Sequence, residues 1–370
     1  MKKLALLAAL ALLVSLALPG MAQTNQPLSI VATTFPSYDW VKNILGERAK
    51  DVDLTLLQDS GIDLHNFQPT AQDFVKLTTA DLFIYIGGPS DTWVKDALRA
   101  ERKEGQITLN LMDALGDAVK QDVLVEGMQD SPHAHDHDHD HDHDHDHDED
   151  HDHDHDHDED HDRDHDHDHD HDHDHDHDED HDHDHDEAHP AHADEHIWLS
   201  LRNVQTLVKA IAASLAQADP DHADTYQTNA DNYINQLMAL DAEYTQAISQ
   251  VDNPTLLFGD RFPFRYLMDD YGITYYAAFS GCSAETEASF QTIAFLSDKL
   301  DELKLPSVIK LDGADGKIAD AIIRTSQSRD QQVLQLHAMQ SISAQDVKNG
   351  ASYLDIMKDN LAVIRQALER

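Results

Sequence analysis

The sequence predicts an α/β protein of two lobes, each a mostly parallel sheet covered by helices, linked by one long rigid helix and interrupted by a disordered His/Asp-rich insertion. Three observations carry that prediction. Short β-branched apolar runs alternate with helical stretches on both sides of the insertion, the pattern of parallel sheets covered on both faces. One apolar stripe of helical period runs through residues 219–252. Residues 132–192 are almost nothing but alternating His and Asp.

Met1 to Ala22 reads as a cleavable secretory signal. Lys2 and Lys3 form its basic end, Leu4 to Leu18 its apolar stretch, and Gly20-Met21-Ala22 a small-x-small cleavage site. The apolar stretch is short for a membrane span, and no Cys stands near the cleavage point. The expectation is a bacterial periplasmic protein with no membrane anchor.

Residues 28–131 form the first lobe. Leu28 to Phe35, Val52 to Leu57, Leu82 to Gly87 and Ile107 to Leu111 read as strands. Pro36 to Leu45, Thr70 to Leu77 and Asp91 to Arg102 read as helices between them. After the insertion, residues 193–218 finish this lobe, with a helix from Leu201 to Ala216. Asp219-Pro220 then supplies an N-cap and a first-turn proline for the linking helix of residues 219–252. Its Tyr226, Tyr233, Leu237, Leu240, Tyr244 and Ile248 keep to one side, and Asn253-Pro254 stops it. Residues 253–370 form the second lobe. Strands are expected at Thr255 to Phe258, Ile273 to Phe279, Ser307 to Leu311 and Val333 to Leu336, and a closing helix at Tyr353 to Leu368. Two lobes joined this way would be stiff rather than hinged.

The insertion sets the chemistry. It holds 25 of the 29 His residues. Strict alternation suits a strand, but there is nothing apolar to bury and a face of adjacent carboxylates repels itself, so the tract is expected to be disordered. Imidazole suits zinc, copper and nickel, whereas calcium and magnesium prefer oxygen shells. At about four ligands per zinc, the tract would hold roughly six ions weakly, and protonation below about pH 6.5 would release them. The bland reading is a solvated spacer.

Charge and cysteine narrow the field. The formal net charge is −46, with 72 acids and 26 bases. Residues 136–187 carry 30 of those acids and one base, leaving 42 acids against 25 bases and a charge of −17 elsewhere. Such a balance argues against nucleic acid or an anionic membrane as partner. Cys282 is the only cysteine, which excludes an internal disulfide and a multi-thiolate zinc site.

Ligands of open parallel sheets sit beyond the carboxyl ends of the strands. There the sequence places His65, Asp260, Cys282 with Glu285, Asp312 with Asp315, and His337. His196 lies just past the insertion, and the apolar Ile197-Trp198-Leu199 draws it into the folded body. His222 reads as a solvated first-turn residue. The bland readings are a loop histidine for His65, a core histidine for His337, a small buried residue for Cys282, and helix-start carboxylates for Asp312 and Asp315.

The stretch Ser60-Gly61-Ile62-Asp63-Leu64-His65-Asn66-Phe67-Gln68-Pro69-Thr70, with Asp73 and Ala80-Asp81-Leu82 after it, resembles the first metal-histidine loop of the solute-binding proteins of bacterial zinc and manganese ABC importers. His196-Ile197-Trp198-Leu199-Ser200 resembles that family's second histidine motif, before which zinc-binding members carry a His/Asp-rich insertion. The resemblance covers the whole mature chain. It implies two α/β lobes bridged by a long helix, with one metal in the cleft between them. It also implies delivery of that metal to a membrane permease energised by an ATPase. His65 and His196 are then metal ligands. The family's third ligand position falls on Gly259, a departure for which the adjacent Asp260 is the candidate substitute. For the fourth position Asp312 and Asp315 are both on offer, Asp315 fitting the spacing better with one residue deleted, and His337 or the Cys282/Glu285 loop is the alternative.

The expectation is a monomeric, non-enzymatic zinc-binding protein with one tight Zn2+ site and several weak sites on the His-rich loop. The same scaffold tuned to manganese or nickel, and a periplasmic metal buffer, are the alternatives. A zinc hydrolase is disfavoured because no His-Glu-x-x-His helix motif is present.

Overall fold

The computed structural model describes residues 27–100, 102–129, 193–281 and 287–369. The Met1–Ala22 leader, the 132–192 insertion, and Cys282 and Glu285 lie outside them. The described chain contains two four-stranded sheets, every pairing parallel. The first holds β1 (Ser29–Ala32), β2 (Asp53–Leu56), β3 (Leu82–Tyr85) and β4 (Ile107–Asn110) in the order β2-β1-β3-β4. The second holds β5 (Thr255–Phe262), β6 (Thr274–Ser280), β7 (Ser307–Leu311) and β8 (Gln332–Leu336) in the order β6-β5-β7-β8. The topology is the same twice. Each sheet grows first to one side of its opening strand and then to the other, which puts a switch point between its first and third strands.

Period-two alternation explains the layers. Ile30, Leu82 and Ile84 of the first sheet and Leu256, Phe258 and Ile309 of the second all point into one continuous core. Their neighbours Val31 and Phe83 pack in a second cluster, and Leu257 and Val308 in a third, so the central strands are buried on both faces. The Ala223–Ile248 helix runs through the shared core. It packs on the Phe35–Leu45 and Leu201–Ala218 helices and also on the Arg265–Tyr271 and Tyr353–Leu368 helices. Its 26 residues extend about 39 Å without a break. All six residues of the expected stripe are buried.

Two local expectations fail. Asp91 to Arg102 is not one helix: a 3-10 turn at Pro89–Asp91 is followed by only Val94–Ala97. The Asp91 carboxylate folds back to accept the amides of Ile86 and Gly87 at 2.7 and 3.1 Å, closing the end of β3 instead of starting a helix. Asp219 does not cap the linking helix, which starts at Ala223 after a 3-10 turn at Pro220–His222. Its carboxylate is instead taken by Arg48, His222 and Tyr226.

A buried carboxylate in this core gives a pH-dependent stability. Asp39 is 4% exposed. Burial pushes its pKa up to about 6, against the opposing hydrogen bond from the Tyr353 amide. A carboxyl whose pKa is higher folded than unfolded favours folding below pH 4 and loses that contribution as pH rises through about 6. Asp39→Asn keeps an oxygen for the Tyr353 amide. It is expected to match the parent near pH 4 and to exceed it by up to about 3 kcal/mol at pH 7.5. Denaturant unfolding at both pH values checks this, and an equal difference at the two would refute it.

Candidate metal centre

Two imidazoles from distant parts of the sequence meet at one point. The Nε2 atoms of His65 and His196 are 3.4 Å apart. His65 sits on a single 3-10 turn, Leu64–Asn66, whose N-cap Asp63 accepts the His65 amide at 3.1 Å. The Thr70/Asp73 capping box fixes the helix that follows the loop. The other oxygen of Asp63 pairs with Arg261 at the end of β5, at 2.7 Å. His196 opens the Ile197–Leu199 turn, whose three apolar residues are fully buried. The Trp198 indole donates to the Ala338 carbonyl at 2.8 Å, and the Tyr353 hydroxyl donates to the Trp198 carbonyl at 2.6 Å. Ser200 caps the following helix through the Asn203 amide and donates to Asp270 at 2.6 Å.

The far nitrogen of each ring faces a carboxylate. His196 Nδ1 lies 2.7 Å from Asp194 Oδ1, and His65 Nδ1 lies 3.1 Å from Glu195 Oε1 and 2.9 Å from Ser90 Oγ. Ser90 donates its hydroxyl and its amide to Glu195. The Nδ1 atoms therefore carry the protons, and the Nε2 lone pairs converge on one spot. Imidazoles held by outer carboxylates with Nε2 free are the usual arrangement around a bound transition metal. Burial works against a charge on His196, but the neighbouring Asp194 and Glu195 outweigh it and raise the pKa above its ordinary value. Burial likewise opposes the charge on Glu195, yet the hydrogen bond and charge of His65 hold its pKa low.

The side-chain amide of Gln340 fills the point of convergence. Its Nε2 lies 3.0 Å from His65 Nε2 and 2.9 Å from His196 Nε2, so one NH2 group serves both acceptors. Gln340 follows Met339, whose φ of 61° is left-handed and unusual for a side chain with a Cβ. Neighbours hold that turn: the Ala338 amide donates to Asp312, the Met339 amide to His337 Nδ1, and the Leu64 amide to the Gln340 carbonyl. Strain that the surroundings enforce is a feature of functional sites.

The remaining candidates go elsewhere. β5 runs on to Phe262, so Asp260 lies within the strand, at its register shift, and not after it. Its two oxygens accept the Arg261 and Leu311 amides. Asp315 is exposed and pairs with Lys317 at 2.5 Å. Both line a neighbouring pocket of about 570 Å³ that also includes Asp63 and Arg261. His337 turns its Nδ1 to the Met339 amide and lies 3.2 Å from Asp312. Among the described residues, no three or more His, Cys, Asp or Glu side chains are grouped to hold a metal. Gly259 leaves no room for a ligand: a Cβ there would lie 2.7 Å from the Ala319 Cα. Gly281 lies against the His196 ring, where a Cβ would be 3.0 Å from Cε1.

Asp194, Glu195, Ser90 and Gln340 were missed in the sequence. The two acids look like the tail of the acidic tract, and their place directly before His196 was the available signal. Gln340 and Ser90 are neutral and carry none.

Comparison with known proteins identifies relatives of the chain. The family model ZnuA, zinc-uptake complex component A periplasmic, matches residues 30–367. The zinc-binding lipoprotein AdcA of Streptococcus pneumoniae TIGR4 is 28% identical over 100% of this chain, and the chain spans only 62% of that relative's length. The high-affinity zinc uptake system protein ZnuA of Bacillus subtilis 168 is 26% identical over 92% of this chain and 88% of its own. The Zn(II)-bound ZnuA-like domain of S. pneumoniae AdcA superposes with a TM-score of 0.62 at 23% identity, covering 93% of this chain and 100% of that one. The periplasmic zinc binding protein TroA of Treponema pallidum gives 0.63 at 20% identity, with 93% and 100% covered. At these identities the structural matches speak for the two-lobed fold.

Proposed function

The chain belongs to the zinc-uptake complex component A family, and from that premise we propose that it captures zinc outside the cytoplasm at His65 and His196. It then delivers the ion to an ABC-type permease and its ATPase for import. The observation that carries this reading is the convergence of two Nε2 atoms 3.4 Å apart, each ring backed by a carboxylate. The cargo ion would displace the Gln340 NH2 group and take the lone pairs it now occupies. Two neutral imidazole nitrogens favour zinc over manganese, which prefers carboxylate and carbonyl oxygens. Asp260 and Asp315 would have supplied that oxygen character, and both are engaged elsewhere. Completion of the shell by Asp260, Asp315 or His337 would need these side chains to leave their present partners. Two donors on short turns of the first lobe, covered by Gln340 from the second, suit an enclosed cargo site better than a catalytic metal with an open position.

Several finer features belong to the same proposal. The His-rich loop acts as an accessory collector with weak sites, the leader of residues 1–22 is cleaved, and the monomer works in the periplasm. No helix among the described residues is long and apolar enough to cross a membrane. Isothermal titration of residues 23–370, with and without 133–192, tests the core of the reading. One tight zinc site that survives the deletion is expected, together with loss of the weak sites. Absence of a tight site in the shortened protein refutes the cleft as the site of capture, and preferential loading of manganese from a mixture refutes zinc as cargo.

A further inference from the structure

Among the contacts from the second lobe to the His196 region, one phenol hydroxyl sits inside a backbone ladder. Residues 120–121 and 193–194 run antiparallel, with Gln121 bridged to Ala193 and the Asp194 amide donating to the Lys120 carbonyl at 2.8 Å. An antiparallel pair normally exchanges two such bonds. Here the reciprocal bond is replaced. The Lys120 amide donates to Tyr266 Oη at 2.9 Å, and Tyr266 Oη donates to the Asp194 carbonyl at 2.8 Å. Tyr266 is 1% exposed on the Arg265–Tyr271 helix, and the Lys120 ammonium lies over its ring at 5.5 Å.

That ladder carries the residue that orients a metal-site imidazole. Asp194 Oδ1 accepts the His196 amide at 3.0 Å and faces His196 Nδ1 at 2.7 Å. We propose that Tyr266 is a positioning residue for zinc capture, its hydroxyl fixing the Asp194 backbone and through it the direction of the His196 Nε2 lone pair. The inference rests on the cleft reading above. It gives the second lobe a part in the site through a residue that never touches the ion. The Phe variant keeps the ring and its packing and removes only the wedge, leaving the Lys120 amide and Asp194 carbonyl to close the gap or fill it with water.

The test uses the full mature chain and zinc itself, at less than one metal per chain so that the tight site fills before the weak sites of the insertion, with the dissociation constant and the cobalt(II) ligand-field spectrum as readouts. Tyr266→Phe is expected to weaken zinc binding about tenfold, as loss of an outer orienting partner does, and to alter the cobalt(II) bands. Tyr244→Phe is the control, because it removes an equally buried hydroxyl that donates to the Met357 carbonyl, away from the site. It is expected to lower stability while leaving affinity and spectrum unchanged. In an Asp194→Ala background, Tyr266→Phe should change affinity less than about twofold, because the path through Asp194 is gone. Unchanged affinity and cobalt spectrum in Tyr266→Phe overturn the proposal. So do equal effects of the two Phe variants, or full additivity with Asp194→Ala. Absence of a tight zinc site in the parent chain overturns the cleft reading and this one together; a tight parent site with an indifferent Tyr266→Phe overturns this one alone.

Discussion

His196→Ala is expected to remove the tight zinc site. A structural zinc site is worth roughly 10–16 kcal/mol over four ligands, so one ligand carries roughly 3 kcal/mol, about 100-fold in affinity. The loss here should exceed that figure. Asp194 is 3% exposed and would keep a buried charge with no imidazole to balance it. The His196 ring also packs edge-on against Trp198, with centroids 5.3 Å apart, so the substitution opens space under the turn. His65→Ala should cost about the same 100-fold for the lost ligand. Its ring is partly exposed, so less follows from packing. Titration of each variant in the chain lacking 133–192 checks this, because the weak sites of the insertion would otherwise mask the loss. His222→Ala, on the far side of the linking-helix start, should bind as the parent does. Retention of the parent's tight binding by His196→Ala would remove it from the site.

Parts of the fold and of the candidate site were legible in the sequence. The stripe Tyr226, Tyr233, Leu237, Leu240, Tyr244 and Ile248 announced the linking helix because burial along one face leaves a 3.6-residue period. His65 was legible as a strand-end residue in a loop of turn-forming neighbours. His196 was legible because a fully apolar Ile197-Trp198-Leu199 cannot stay with a polar tract. What was not legible depended on partners far away in sequence. Asp91 lies in a helix-compatible run, but only the folded end of β3 offers it the Ile86 and Gly87 amides. Asp260 stood past the expected end of β5, yet pairing with β6 resumes at Arg261 and carries the strand to Phe262. The left-handed Met339 depends on bonds from a turn to Asp312 and His337, and that turn also carries the acceptor for the Trp198 indole. None of these has a periodic or compositional trace.

Gln340→Glu is expected to tighten zinc binding by about 100-fold, the share of one added anionic ligand. The side chain already lies within 3.0 Å of both Nε2 atoms, so no movement of the backbone is required to bring a carboxylate oxygen to an ion between them. The empty site would change in the opposite sense. The Gln340 NH2 group now donates to both imidazoles, whereas a carboxylate has no hydrogen to offer and would face two lone pairs. Gln340 is 6% exposed, so that repulsion is poorly screened by water. The variant should therefore be less stable than the parent without metal and more stable with it, and the midpoint shift on adding zinc should grow. Gln340→Ala separates the two contributions: it removes the placeholder without supplying an anion, so affinity should move far less than in the Glu variant. Thermal unfolding with and without zinc, alongside direct titration, reads both effects. An affinity in Gln340→Glu equal to or weaker than that of the parent would mean that the ion does not sit where the amide now bridges the two histidines.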